Sequence, residues 1–282
     1  MDIGIGLPTT VPGVSGADLV EFARRADRRG FRTLAALDRF VYDNYDSITA
    51  LAAAAAATSR IRLAATVLLA AYRPSVAEVA KQLSTVDRLS GGRLVVGVAA
   101  GGRPDDFEAC GADYRTRGRR LDEMLERLPR IWAGEEGGGP RPERGEIPFW
   151  VGGHSDAALR RAAKHGQAWI APGGSVAGYP DLVARAEKVF AEEGRVDRPR
   201  MVSLAYFALG EDHRARGVEY LKHYYTHVGP KAEFLARGIL SDAGRVRETV
   251  AGYAEAGCDE LILFPGTGDP DQVDRLAEIV LP

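Results

Sequence analysis

Three short segments of this chain carry residue types that could do chemistry. The first is Val151-Gly152-Gly153-His154-Ser155, where an apolar run passes through two glycines into a segment of helical periodicity. Glycines let backbone N–H groups approach an anion closely, Ser155 can cap the helix or donate its hydroxyl, and a helix N-terminus adds positive potential. One reading is a phosphate cradle, and the other is a tight turn closed by a serine N-cap. Gly173 and Gly174, followed by Ser175, repeat the pattern after the next apolar run and could complete the cradle from a neighbouring turn.

The second segment is Asp38-Arg39, a charged pair directly after the apolar run 34–37. A carboxylate there could accept a proton or hydrogen-bond a ring N–H, while an ion pair or an anion at a helix start is the plainer alternative. The third is GVAAGG at residues 97–102, whose small side chains would leave room for a flat ring. Its spacing is not GxGxxG, so it adds nothing to a Rossmann dinucleotide reading, and a glycine-rich turn without ligand fits equally.

Other residues exclude more than they suggest. His223 and His227 stand four apart and would share one helix face, but no HExxH glutamate and no third ligand accompany them, so no metal is expected. No GxSxG elbow supports a hydrolase. Cys110 and Cys258 lack paired spacing and read as two buried, reduced thiols. With 37 Lys+Arg against 39 Asp+Glu the formal charge is -2, which leaves no basic excess for nucleic acid. The opening MDIGIGLP has no basic region followed by a long apolar one, and the run 50–57 is too short to span a bilayer. A cytoplasmic protein with no membrane partner is the expectation. The alanines at 52–57 permit close helix approach, and core packing or a homodimer interface would explain them equally.

The elements that must position these residues show in a recurrence. Four times an amphipathic segment ends at a glycine (Gly30, Gly91, Gly166, Gly257) and a short apolar run follows. Each glycine can take the left-handed conformation that stops a helix, and the run can be buried on both faces as a parallel strand. Strands are expected near 2–7, 33–37, 61–69, 93–98, 148–152, 168–171, 201–209 and 259–264. Eight such units in one domain spanning 1–282 argue for an α/β fold, a (β/α)8 TIM barrel. A doubly wound open sheet competes, because alternation does not say whether the sheet closes. In a barrel the C-terminal strand ends share one face, which would gather all three segments. Residues 134–146, dense in Gly, Pro, Glu and Arg, read as a mobile loop before the fifth strand. Residues 210–241 form a helical insertion between strands 7 and 8, rich in aromatic and histidine side chains, that could act as a lid.

The text RIRLAATVLLAAYRPSVAEVAKQLSTVDRLSGGRLVVGVAAG, residues 60–101, resembles the luciferase-like monooxygenase and reductase superfamily, most distinctively over residues 80–98. The opening strand ending at Leu7-Pro8, the Gly30-Phe31 junction, PFWVGGHSDAALRRAA and AGCDELILFP follow the same pattern. The resemblance implies a barrel with a planar ring at the strand C-termini, its phosphate near strands five and six. That selects Gly152, Gly153, His154, Ser155, Gly173 and Gly174 as the cradle, and places Leu7, Ala65, Thr66, Val67 and Gly101 around the ring. It also implies a non-prolyl cis peptide near Thr66-Val67. The cofactor would be coenzyme F420, a deazaflavin, or FMN, and the wording VGGHSDAALRRAA leans toward F420. The substrate would be a small organic molecule, reduced by hydride transfer or oxygenated. Many deazaflavin-dependent relatives carry Asp-His after the second strand, whereas Asp38 is followed here by Arg39, which stays protonated near neutral pH and so is no general acid, though it could hold an anionic substrate or a cofactor carbonyl. A cofactor-binding barrel with little turnover, or a flavin-free barrel for sugar phosphates, are the competing functions.

Overall fold

The computed structural model describes residues 1–282, the side chain of Glu211 apart. Strands β1 (Asp2–Gly6), β2 (Thr33–Ala36), β3 (Arg62–Leu68), β4 (Leu94–Val98), β5 (Phe149–Gly152), β6 (Ala168–Ile170), β7 (Arg200–Phe207) and β8 (Glu260–Pro265) fall within two residues of their expected boundaries. Each is parallel to its neighbours in chain order, and β8 pairs with β1 through Asp2 and Glu260. The sheet is therefore a closed barrel, which excludes the doubly wound alternative. Among the described residues the helices are α1 (Gly16–Arg29), α2 (Ser47–Ala57), α3 (Val76–Ser90), α4 (Pro104–Ala109), α5 (Arg117–Ala133), α6 (Asp156–His165), α7 (Tyr179–Glu192), α8 (Glu211–Tyr224), α9 (Lys231–Arg237), α10 (Ala243–Glu255) and α11 (Asp271–Val280). None is long and apolar enough to cross a membrane.

Because strand side chains alternate, each strand feeds two cores. Ile3, Ile5, Leu34, Leu63 and Leu94 pack outward against helix residues such as Phe22, Leu51 and Leu83. Ala35, Ala64, Val95, Trp150, Ile170, Val202 and Phe264 fill the barrel interior. Gly6 belongs to the inner set, since a Cβ there would sit 2.0 Å from the Phe264 ring. At the N-terminal end of the strands Glu260, fully buried, accepts from Thr33, Arg62 (3.1 Å) and Arg200 (3.2 Å).

Three of the four helix-ending glycines have positive φ: Gly30 (88°), Gly91 (68°) and Gly257 (81°). Gly166 does not, with φ −85° and ψ 130°. It is glycine because a Cβ would lie 2.9 Å from the carbonyls of both Ala162 and Ala168. The alanines of α2 are used in the core, where Ala54 and Ala55 are buried against α3 and β3. Residues 134–146 contain no helix or strand, but the Glu143 amide donates to Asp87 at 2.7 Å and so ties them to α3. Cys258 is buried as expected, whereas Cys110 is only half-buried; both are free.

Asp27, at the end of α1, holds the chain entering β3 by accepting the amides of Ser59 (3.0 Å), Arg60 (3.0 Å) and Ile61 (2.7 Å). Burial opposes its ionisation, but these donors outweigh it and keep its pKa below the ordinary 3.8. A lowered folded value means stability that is present above pH 3.8 and lost as pH falls through the folded pKa. Asp27→Asn is expected to cost about 1–3 kcal/mol at pH 7 by urea unfolding. The gap from the parent should shrink below pH 3.8, and a pH-independent gap would refute this role for the charge.

Candidate functional site

A cavity of about 510 Å3 opens where β2 to β7 end, a size suited to a small organic ligand. Its wall is assembled from turns that the barrel brings to one rim.

At the end of β2 two buried aspartates organise the rim. Asp38, its side chain 1% exposed, accepts from Ser47 Oγ (3.0 Å), the Leu69 amide (2.9 Å), Tyr72 Oη (2.9 Å) and Arg73 Nη2 (3.2 Å). Burial and then the Asp38 charge push the Tyr72 phenol far up, so it stays a donor. Asp106, at the start of α4, accepts the amides of Phe40 (3.0 Å) and Val41 (2.9 Å) and lies 3.0 Å from Arg39 Nε. Arg39 also reaches Asp105 at 3.0 Å. Asp38 and Arg39 thus both border the cavity but do not pair with each other: each is neutralised from behind by an opposite charge.

The strand register between β3 and β4 shifts between Ala65 and Leu68, and the Thr66–Val67 peptide in that bulge is cis, where the resemblance implied one. Thr66 Oγ1 is buried, borders the cavity and has no hydrogen-bond partner. Gly97 is small for a reason other than ring space, because its Cβ would fall 2.3 Å from the Ala65 carbonyl that the bulge pushes toward it. The small side chains on this wall of the cavity are those of Ala99, Ala100, Gly101 and Gly102.

After β5, Ser155 Oγ accepts the Ala158 amide at 3.2 Å and caps α6. The turn is therefore a serine-capped one, and Ser155 and Ala158 at the start of α6 border the cavity. Gly152 is forced by close approach, its Cβ position lying 2.9 Å from Val67. Gly153, at φ 124°, could not carry a side chain without strain.

The insertion between β7 and β8 comprises α8, a 3-10 turn at Thr226–Val228 and α9. It reaches across the mouth: Tyr42 Oη meets His223 Nδ1 at 2.9 Å, and Tyr224 and His227 border the cavity. His223 and His227 do not share a helix face, because α8 ends at Tyr224 and the chain turns. Burial raises the Tyr224 phenol's pKa, while burial and then Arg39 lower that of His227.

Of the expected site residues, Asp38, Arg39, Thr66, Val67, Gly101, Gly152, Gly153, His154 and Ser155 border the cavity, and Leu7, Ala65, Gly173 and Gly174 do not. Leu7 and Ala65 are outward-facing members of their strands, packed against the helix layer. Gly173 turns down onto Leu204, 2.7 Å from its Cβ position, and the Gly174 carbonyl accepts from Tyr253 Oη of α10. Three wall residues have no motif to reveal them: Arg103, Arg117 and Arg161. Arg117 donates to the carbonyls of Gly101 and Tyr114, and Arg161 pairs with Asp122. The Arg103 guanidinium lies over the Tyr224 ring at 4.5 Å and has no carboxylate partner among the described residues.

Comparison with known proteins gives a consistent set of likenesses. The model of the family described as luciferase-like monooxygenase matches residues 1–280. An uncharacterised protein of Mycobacterium tuberculosis is 36% identical over 157 residues, a match spanning 51% of this chain and about half, 54%, of that relative. The FMNH2-dependent dimethylsulfone monooxygenase of Pseudomonas putida is 26% identical over 86% of this chain and 72% of its own. Among solved structures, an F420-dependent secondary alcohol dehydrogenase superposes with a TM-score of 0.82 at 16% identity, covering 99% of this chain and 98% of the other. A type II Baeyer–Villiger monooxygenase of Pseudomonas putida in complex with FMN gives 0.75 at 15% identity, covering 99% and 95%.

Removing the Asp38 carboxylate would strand four donors, one of them the Arg73 cation. Asp38→Ala is expected to lower unfolding free energy by about 3 kcal/mol, the lower end for a broken buried pair because Arg73 is partly solvated. Asp38→Asn, which keeps an acceptor, should cost less. An unaltered urea midpoint for both variants would show that this carboxylate does not hold the rim.

Proposed function

The chain belongs to the luciferase-like monooxygenase family, and from that premise we propose that it is an oxidoreductase holding a reduced deazaflavin or FMN over Thr66 and Val67. The observation that carries this reading is the buried, unpartnered Thr66 Oγ1, beside a cavity whose other side is the capped N-terminus of α6. A buried hydroxyl without a partner costs free energy unless a ligand atom completes it. The residues present fit a phosphorylated planar ring. Val67, Leu69 and Ile170 supply apolar contact, Ala99 to Gly102 leave space, and Gly152 and Gly153 allow backbone approach. Support for F420 over FMN comes from the wording of residues 151–163, while relatives of both kinds resemble the chain.

When bound, such a group supplies hydride transfer or, for FMN, the activation of oxygen. The chain's part is to place it and its substrate and to exclude water. Thr66 Oγ1 would anchor a polar ring edge, and Val67 would back the ring. The first amides of α6 would hold the phosphate, with Ser155 fixing their direction. Asp38 serves as a positioning residue, since its oxygens are occupied by four donors. Arg39 has its charge matched by Asp105 and Asp106 and, as a guanidinium, serves as a positioning group rather than a proton donor. Proton transfer falls to the His227 imidazole of the insertion, which borders the cavity, while the Tyr224 phenol, pushed up by burial, remains a hydrogen-bond donor. The substrate is proposed to be a small organic molecule enclosed beneath that insertion.

The occupation of both Asp38 and Arg39 also favours a second reading, a barrel that binds the cofactor with little turnover. The test is a side-by-side titration of reduced and oxidised FMN and F420, followed by absorbance and fluorescence. We expect saturable binding of at least one; none at tens of micromolar would overturn the proposal, and binding without substrate-dependent reoxidation would favour the second reading. Ser155→Asp keeps an N-cap but adds a negative charge, so it should weaken that cofactor by about 10-fold or more, about 1.4 kcal/mol, without lowering Tm. An unchanged affinity would place the phosphate elsewhere.

A further inference from the structure

We propose that the substrate is an organic anion, a carboxylate on an apolar or aromatic body, and that Arg103 binds its anionic end. The inference rests on the flavin-type reading of the same cavity and adds the class of molecule turned over there. It begins with the charges on the cavity wall. Asp38, the one carboxylate among the described wall residues, is matched by Arg73. Arg39 is matched by Asp105 and Asp106, and Arg161 by Asp122. Arg117 has no carboxylate, but it spends Nε and Nη1 on the carbonyls of Gly101 and Tyr114 and lies 3.9 Å from the Tyr114 ring centroid.

Arg103 is different in kind. Its Nη1 is buried and makes no hydrogen bond. Its guanidinium carbon lies 4.5 Å from the Tyr224 centroid and 5.9 Å from that of Tyr225. The two rings orient the planar fork without satisfying its N–H groups, because a ring face attracts the cation but supplies no acceptor lone pair. A buried donor on a permanent cation is costly to leave open, and the ligand that best closes it is a planar carboxylate met by two parallel N–H bonds. The aromatic body follows from the neighbourhood: Leu37, Leu69, Ile170 and Leu204 form apolar wall, and the Tyr224 ring closes the top. Arg103 also sits at the seam where the turn after β4 meets the insertion, so an anion there would join the lid to the barrel and favour its closed position.

Two anions could use this arginine, the substrate's carboxylate or the cofactor's phosphate, and the experiment separates them. Benzoate and its neutral isostere benzamide are titrated by calorimetry into the parent protein and into Arg103→Gln, each without and with saturating FMN. FMN and riboflavin affinities are measured on the same two proteins. The parent should prefer benzoate to benzamide by about 10-fold. Arg103→Gln should abolish that preference while FMN and benzamide affinities stay within about two-fold and Tm is retained. Arg103→Lys, which keeps the charge but not the fork, should fall between. The proposal is overturned if the parent shows no carboxylate preference or if Arg103→Gln leaves benzoate binding intact. It is equally overturned if the variant weakens FMN but not riboflavin, which would give Arg103 to the phosphate. Failure of the flavin-type reading has its own signature, no binding of either FMN or F420 to the parent, and the cofactor-free benzoate titration still reports on Arg103.

Discussion

Closing eight parallel strands into a cylinder gives every strand side chain one of two environments, the barrel interior or the helix layer. That alternation decides most of what the cavity can contain. Leu7 and Ala65 fall on the helix side and are lost to any ligand, while Thr66 faces inward in step with Ala64, and Val67 joins it at the cavity because a bulge interrupts the alternation of β3. The bulge in turn needs room on the adjacent strand β4. Gly97 provides it by leaving the Ala65 carbonyl unobstructed. Two small features on neighbouring strands, one glycine and one bulge, thus place a buried hydroxyl where a ring could use it.

Buried carboxylates do the corresponding work for the turns. A carboxylate removed from water must collect donors, and backbone amides are the donors a turn has to offer. Asp106 takes the amides of Phe40 and Val41 and so shapes the turn after β2, while Asp38 takes the amide of Leu69 and ties that turn to the end of β3. Asp27 acts likewise at the opposite end of the barrel, taking the amides of Ser59, Arg60 and Ile61. The energetic consequence is that Asp38 and Arg39, the residues that look most reactive, are committed to architecture. Their charges are already compensated, which leaves the field inside the cavity to groups that are not.

Those groups come from two segments far apart in sequence, the turn after β4 and the insertion after β7. Aromatic contacts join them. Tyr224 lies edge-on to Tyr42 with ring centroids 5.2 Å apart and receives Arg103 on its face. Such contacts are worth about 0.5–1.5 kcal/mol each. The insertion is also anchored beneath them, by the Thr10–Tyr220 hydroxyl pair at 2.6 Å, the Tyr206–Tyr225 pair at 2.8 Å and the burial of Leu221, Ala236 and Ile239 in the inner core.

Much of the fold was legible in the sequence, and for a physical reason. Parallel strands buried on both faces must be apolar throughout, and helices between them must be amphipathic and end where glycine or a cap allows, so eight units could be counted and bounded from local pattern alone. The glycines and Ser155 of the α6 turn were legible too, because turn chemistry is local. Closure of the sheet was not, since it depends on whether Asp2 meets Glu260 across the whole chain. Nor was the fate of Asp38 and Arg39, whose partners Arg73, Asp105 and Asp106 lie 35 to 67 positions away. The sequence by itself determined the barrel's parts and the rim on which its loops meet. Only the tertiary structure decided which charges on that rim cancel, because pairing is a matter of distance in space; among the described residues Arg103 is left with neither a carboxylate nor, as Arg117 has, carbonyl partners.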